Sequence, residues 1–392
     1  MKLNDVIEVE IIDVNHNGNG IAKINNIPIF VPKCKIGDIV KIKIIKVNKK
    51  YVLGEKLSLV KECGKKEKIH CPYYDKCGGC DTLHISYEDE NNLKKKYIER
   101  LFNIKTEINY FDRFNYRNKV TLHVKDKKIG FYRENTNELI KIDKCILLED
   151  EINDLIKVLE EIDLNDIEEI IIKKGINGLL LSVTGNINNK DIMNLINYKD
   201  LISIYQNNIL IYGEPFIKNK FNDITYNINN NSFFQVNTKC ANVMYQKTKE
   251  YVGKANKLLD LYCGMASIGI YLSDIANEII GIEINKDSVK CGKKNIEENN
   301  IKNYKIINND ASFIKDNFDV VVVDPPRGGL SKEVINILND MKCEKIIYIS
   351  CNPSTLKRDI DLLKNYVIKD ISVFNMFPGT KHIESVCKLE LK

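Results

Sequence analysis

From about residue 232 onward, short runs of nearly unbroken apolar residues recur between stretches with helical spacing. They are Leu258–Leu261, Ile279–Ile284, Lys305–Ile307, Val320–Val323 and Ile346–Ile349. Strands that are apolar on both faces and separated by helices predict a parallel sheet covered on both sides. Such sheets gather ligands at the carboxyl ends of their strands. The residues that follow each run are therefore the first place to look for chemistry.

The rest of the chain is organised differently. At 392 residues it is long enough for two to three domains, since one domain takes roughly 100–200 residues. Residues 6–58 read as short strands around Gly18-Asn-Gly20, and Val40-Lys-Ile-Lys-Ile-Ile-Lys-Val47 alternates apolar and basic residues. That pattern predicts a small β-barrel with one face in water, or a surface that tracks RNA. Tyr87–Phe102 reads as a helix, with acids in its first turn and bases later. Residues 91–133 hold twelve Lys and Arg against four Asp and Glu, interleaved with Tyr97, Phe111, Phe114, Tyr116, Phe131 and Tyr132. Basic charge neutralises phosphates and aromatic faces stack on unpaired bases, so this stretch is expected to touch RNA. The net charge of +5 does not by itself identify a nucleic-acid binder. No apolar run is long enough to cross a membrane. Acids within Met1–Glu10 argue against a signal peptide, so a reducing cytoplasm is expected and the twelve cysteines do not read as a disulfide framework.

Two strand ends carry the marks of a methyl-donor site. In Leu258-Leu-Asp-Leu-Tyr-Cys-Gly-Met-Ala-Ser-Ile-Gly269, Gly264 lets the backbone pass close to a ligand, yet the spacing lacks the Gly-x-Gly-x-x-Gly phosphate cradle. Glu283 ends the next run, where a carboxylate accepts hydrogen bonds from both ribose hydroxyls. Ribose recognition without pyrophosphate recognition points to S-adenosylmethionine. Val320-Val-Val-Val-Asp324-Pro-Pro-Arg327 places Asp-Pro-Pro at the same edge. The prolines remove N–H donors and stiffen a loop suited to a flipped base. Amino-group methyltransferases favour an aromatic after this pair, and here Arg327 stands instead.

A nucleophile and a base follow. Ser350-Cys-Asn-Pro353 puts Cys351 just past another strand end, and His382-Ile-Glu384 supplies a carboxylate near the C-terminus. Carbon-5 of uracil attacks a sulfonium methyl poorly. A thiolate added at carbon-6 makes carbon-5 nucleophilic, and a base must then remove the carbon-5 proton before the thiolate leaves.

Cys71-Pro-Tyr-Tyr-Asp-Lys-Cys77-Gly-Gly-Cys80 gathers three thiols in a tight, glycine-rich wrap. Structural zinc asks for four close ligands, usually as two Cys pairs, whereas an iron–sulfur cube tolerates one distant thiolate. Cys63 and Cys145 both stand as the fourth ligand on spacing alone.

Together these residues carry a resemblance. His16-Asn-Gly-Asn-Gly-Ile-Ala-Lys23, Ile29-Phe-Val-Pro32 and Ile36-Gly-Asp-Ile-Val-Lys-Ile-Lys43 resemble a TRAM domain, an OB-like RNA-binding module. Asp324-Pro-Pro-Arg327, Ser350-Cys-Asn-Pro353, His382-Ile-Glu384 and Phe234-Gln-Val-Asn237 resemble the class I RNA 5-methyluridine methyltransferases. The resemblance implies Cys351 as nucleophile and Glu384 as base. It implies Gln235, Tyr262, Glu283 and Asp324 at the S-adenosylmethionine site, and a 4Fe–4S cluster on Cys71, Cys77, Cys80 and Cys145. Tyr116-Arg-Asn-Lys119 matches a segment near the substrate in relatives, and Asp310 is expected near the adenine. Three domains are expected: an OB-like TRAM barrel at 1–60, an α+β central domain with the cysteine knot at 61–230, and a Rossmann-like α/β methyltransferase at 231–392. A TRAM module with four cysteines is typical of the branch acting on 23S rRNA, so 23S rRNA is the expected partner, with tRNA as the alternative, and the chain is expected to be a monomer. Rival readings are an amino-methyltransferase, a cytosine-5 RNA methyltransferase and a non-catalytic RNA-binding iron–sulfur protein.

Overall fold

The computed structural model describes residues 1–63 and 69–392. The N-terminal strands form a six-stranded sheet in the order Val6–Glu10, Ile39–Val47, Val52–Lys61, Ile27–Pro32, Asn19–Ile24, Asp13–Val14. The alternation in Ile39–Val47 resolves as expected, with Val40, Ile42 and Ile44 buried beside Ile29 and Val31.

A seven-stranded sheet follows. Its order is Leu139–Lys141, Lys128–Tyr132, Lys119–Lys125, Ile167–Gly175, Gly178–Gly185, Leu201–Gln206, Ile209–Gly213. Helix Asp150–Leu159 lays Ile152, Leu155, Ile156 and Leu159 on it and turns its acids outward, where Glu149 and Glu151 both pair with Lys174 at 2.6 Å.

The C-terminal sheet has eight strands, ordered Tyr304–Asn308, Ala276–Glu283, Ala255–Leu261, Val320–Val323, Lys345–Ser350, Glu384–Leu391, Tyr366–Phe374, Ile108–Asn109. The first five run parallel, and Glu384–Leu391 enters antiparallel beside Lys345–Ser350. Strand order reverses between Ala255–Leu261 and Val320–Val323. That crevice is the switch point at which a doubly wound sheet takes its ligand.

Two stretches from the expected central region pack on this sheet. Ile108–Asn109 pairs with Val373 and Phe374. Helix Tyr87–Phe102 begins at Ser86, whose Oγ accepts from the Asp89 N–H at 3.0 Å, and buries Ile98 and Phe102 in one core with Leu259, Val321 and Tyr348. On its inner face Lys94 and Glu90 are fully buried and paired at 3.0 Å. Lys94 Nζ also donates to Asn375 Oδ1 at 2.8 Å, and Glu90 Oε1 accepts from the Gly379 N–H at 2.9 Å.

This packing corrects the reading of residues 91–133 as a simple RNA-facing strip. Lys94 is interior, Arg113 donates to the Thr82 and Ile85 carbonyls, and Tyr116 is buried with its hydroxyl donating to the Pro378 carbonyl at 3.1 Å. These groups join segments distant in sequence, a use that local composition cannot distinguish from phosphate binding.

Candidate active site

The strand Ala255–Leu261 ends in a turn with three left-handed residues, Tyr262 at φ 61°, Gly264 at 54° and Ala266 at 68°. Two of them carry side chains, and such strain persists only where the surroundings enforce it. A Cβ placed on Gly264 would meet nothing within 4 Å, so the turn faces open space. Glu283 closes the neighbouring strand. Its two carboxylate oxygens accept the Gly264 N–H at 3.0 Å and the Asn285 N–H at 2.7 Å, which fixes the carboxylate at the crevice. Tyr262 is half-buried, and burial with the charges of Asp310 and Asp359 pushes its phenol up to about 12. Asp310 is exposed and accepts from the Ser312 N–H at 2.9 Å. Beneath the turn, Asp260 is buried and accepts from Tyr304 Oη at 2.7 Å and the Gly269 N–H at 3.0 Å.

Gln235 is buried in a segment tied to the central sheet. The Asn118 side chain donates to the Gln235 carbonyl at 3.1 Å, and the Asn118 N–H donates to the Val236 carbonyl at 3.0 Å. Asn237 then caps the helix Thr238–Val252. Upstream, buried Lys173 donates to the carbonyls of Asn229, Asn230 and Ser232 at 3.0, 2.7 and 2.8 Å.

Antiparallel register brings the expected nucleophile, Cys351, and the expected base, Glu384, together. Ser350 stands opposite Ser385, so Cys351, the next residue, leaves its strand beside Glu384, which begins the partner strand. Cys351 is half-buried and therefore reachable, whereas Glu384 is buried. Burial pushes the Cys351 thiol up to about 11, helped by the charges of Glu384 and Asp324 and opposed by Arg327. Burial and the Asp324 charge raise Glu384 well above the usual carboxylate range. Burial and Asp260 push Asp324 up to about 7. Two acidic groups from two strand ends, Asp324 and Glu384, thus act on one thiol, with Arg327 opposing them. Titratable groups so displaced in a cleft mark a functional site.

The cavity at Cys351 measures about 290 Å³ and is lined by Arg327, Cys351, Asn352, Lys381 and His382, with His16 and Asn17 from the N-terminal barrel and Tyr97 from helix Tyr87–Phe102. Sequence reasoning missed His16, Asn17 and Tyr97 here, because only the folded chain makes residues so far apart neighbours.

Cys71, Cys77, Cys80 and Cys145 line a second cavity of about 240 Å³. Asn153 Oδ1 accepts the Cys145 N–H at 2.8 Å and holds that thiol's backbone in place. Cys63 is exposed and lines a separate cavity with His84. Among the described residues, no three His, Cys, Asp or Glu side chains close round a point as ligands of a single ion do. Four thiols facing one cavity, with no other ligand type among them, are the donor chemistry of a cluster in which each iron takes one sulfur.

The tRNA (Uracil-5-)-methyltransferase family profile matches residues 201–316 and 309–392, and the TRAM domain profile matches residues 2–57. An uncharacterized RNA methyltransferase of Clostridium acetobutylicum is 31% identical over 446 residues, covering 98% of this chain and 97% of the relative. One of Staphylococcus epidermidis is 29% identical with the same coverage. The crystal structure of Pyrococcus abyssi tRNA (uracil-54, C5)-methyltransferase in complex with S-adenosyl-L-homocysteine superposes with TM-score 0.83 at 27% identity, covering 98% of this chain and 100% of that one. The chain is an RNA methyltransferase and belongs to the TRAM-containing RNA uracil-5-methyltransferase family.

Proposed function

We propose that the protein methylates carbon-5 of a uridine in 23S rRNA, with Cys351 as nucleophile and Glu384 as base. The observation that carries this reading is the strand register that pairs Ser350 with Ser385 and so sets Cys351 beside Glu384. Cys351 Sγ, as thiolate, bonds to carbon-6 of the ring, and the carbon-5–carbon-6 π electrons move towards carbon-5 and O4. Carbon-5 then bonds to the electrophilic methyl carbon that S-adenosylmethionine supplies, as the sulfonium–methyl bond breaks and S-adenosylhomocysteine leaves as the neutral thioether. Glu384 Oε then accepts the carbon-5 proton, and the electrons released re-form the double bond as the carbon–sulfur bond breaks. Its elevated proton affinity suits Glu384 to this role. Glu283 receives the ribose hydroxyls, while Gln235, Tyr262 and Asp324 line the donor site. Cys71, Cys77, Cys80 and Cys145 hold a 4Fe–4S cluster that braces the RNA-facing surface, since the chemistry needs no electron transfer. The protein acts as a cytoplasmic monomer, with domains at 1–60, 61–230 and 231–392.

A second reading takes tRNA as substrate. It is favoured by the full-length likeness to the Pyrococcus abyssi tRNA enzyme, which spans the TRAM and cysteine segments as well. Mapping 5-methyluridine in 23S rRNA and tRNA from a strain lacking the gene separates the two, because the lost methyl identifies the substrate. For the chemistry, Cys351→Ala should abolish methylation while RNA still binds. Glu384→Gln should accumulate an RNA adduct that survives a denaturing gel, and a gel without a shifted band removes Glu384 from the base role.

A further inference from the structure

The mouth of the Cys351 cavity contains a feature outside the methyl-transfer machinery. The imidazole of His16 lies parallel to the Tyr97 ring, with centroids 3.5 Å apart and planes 12° from parallel. His16 sits in the first tight turn of the N-terminal barrel, and both rings line the cavity that Cys351 enters. Three contacts hold this turn in place. Asn15 Oδ1 accepts the Asn17 and Asn19 N–H groups, each at 3.0 Å. Gly18, at φ 76°, packs so closely on the Cys-rich segment that a Cβ there would stand 2.5 Å from the Asp81 carbonyl oxygen. Tyr97 Oη is 3.3 Å from Ser354 Oγ, at the start of the helix that follows Cys351. The stack is therefore braced from both sides, between the barrel and the catalytic strand end.

We propose that the His16–Tyr97 pair is a docking surface for the nucleobase adjoining the methylated uridine, so that the N-terminal barrel completes the catalytic pocket instead of only tracking RNA backbone. This rests on the proposed uridine methylation. A uridine whose ring reaches Cys351 has left its stack, and its neighbour loses a stacking partner at the same moment. A pair of stacked, near-parallel rings at the rim offers a replacement face. The chemistry of the pair suits a base better than a phosphate. Burial and the nearby charges of Arg100 and Lys94 lower His16 to about 4, so it is a neutral ring at physiological pH. Such stacking accepts any base and therefore selects for an unpaired neighbour more than for its identity.

The test uses the full-length protein, S-adenosylmethionine and the shortest transcript into which the wild type transfers methyl. Failure of the wild type on every RNA would overturn the proposed function and is read separately. His16→Ala should raise KM for RNA by roughly 10- to 100-fold, the value of one lost base stack, with kcat falling less than about twofold. His16→Phe and Tyr97→Phe, which keep both rings, should restore KM to within about threefold. Removing one flanking base from the transcript, as an abasic residue, should impose a similar KM penalty on the wild type and almost none on His16→Ala. Penalties that add for both flanking positions, or an unchanged KM in His16→Ala, overturn the proposal.

Discussion

At the scale of single residues, the free protein holds Cys351, the proposed nucleophile, in its protonated form. With its proton affinity pushed up to about 11, Cys351 is a thiol at neutral pH, and thiolates, not thiols, attack. The thiolate fraction rises tenfold for each pH unit below that value. Glu384, also raised, loses its base form as pH falls. Adduct formation depends on the thiolate and precedes the step assigned to Glu384, so in single turnover it should climb with pH between 6 and 8, with a logarithmic slope of about 1. A flat profile over that range would place the chemistry elsewhere. The causes of the shift, burial and the negative Glu384 and Asp324, also indicate what lowers it. A sulfonium cation in the crevice opposes those charges, whereas the neutral thioether product does not. Iodoacetamide should therefore label Cys351 faster with S-adenosylmethionine bound than with S-adenosylhomocysteine, as read by mass spectrometry of the Cys351 peptide.

At the scale of elements, the ionic pair inside helix Tyr87–Phe102 organises the segment that leads to Glu384, the proposed base. Glu90 accepts the Gly379 N–H and Lys94 holds Asn375, so one helix face fixes the segment leading to His382 and Glu384. Lys94→Met would leave Glu90 buried with only Arg113, at 3.4 Å, as a charged partner. Removing one member of a buried pair costs about 3–5 kcal/mol, so a drop of this order in unfolding free energy is expected from denaturant titration. Adding Glu90→Gln should recover part of it, and a single variant as stable as the wild type would show the pair to be dispensable. The helix itself was legible, because its cap, acidic first turn and apolar spacing are local signals. So were the five parallel strands, whose apolar runs record burial on both faces. Its use of Lys94 and the two-residue strand Ile108–Asn109 were not legible. A basic residue on an amphipathic helix reads as solvated, and two residues carry no period. The candidate site divides in the same way. Gly264, Glu283, Asp324 and Cys351 sit at strand ends that local pattern reveals, whereas His16 and Tyr97 join the pocket only through tertiary docking.

At the scale of the whole molecule, the cysteine cavity and the Cys351 cavity are joined by a short run of hydrogen bonds from the residues after Cys80 to Lys381, which lines the Cys351 cavity. Cys80 is followed by Asp81 and Thr82, whose N–H groups both donate to the Gly379 carbonyl, at 2.9 and 3.1 Å. The Asp81 carboxylate accepts the Lys381 N–H at 3.0 Å and its Nζ at 3.1 Å, and Lys381 also reaches Glu134 at 3.0 Å. Gly18 of the barrel leans on Asp81 from the other side. The segment after Cys80 therefore touches the barrel turn and the loop that leads into the strand beginning at Glu384, and Lys381 of that loop reaches on to Glu134. If the four cysteines carry a cluster, its loss should loosen this junction more than any domain core, since none of the four thiols lies among the fully buried residues of those cores. Cys80→Ser should then lower bound iron and sulfide and raise protease cleavage near Gly379, while the thermal midpoint of the bulk protein moves little. Iron and sulfide retained in full by Cys80→Ser, or a junction as protected as in the wild type, would detach the cysteine cavity from the catalytic end of the molecule.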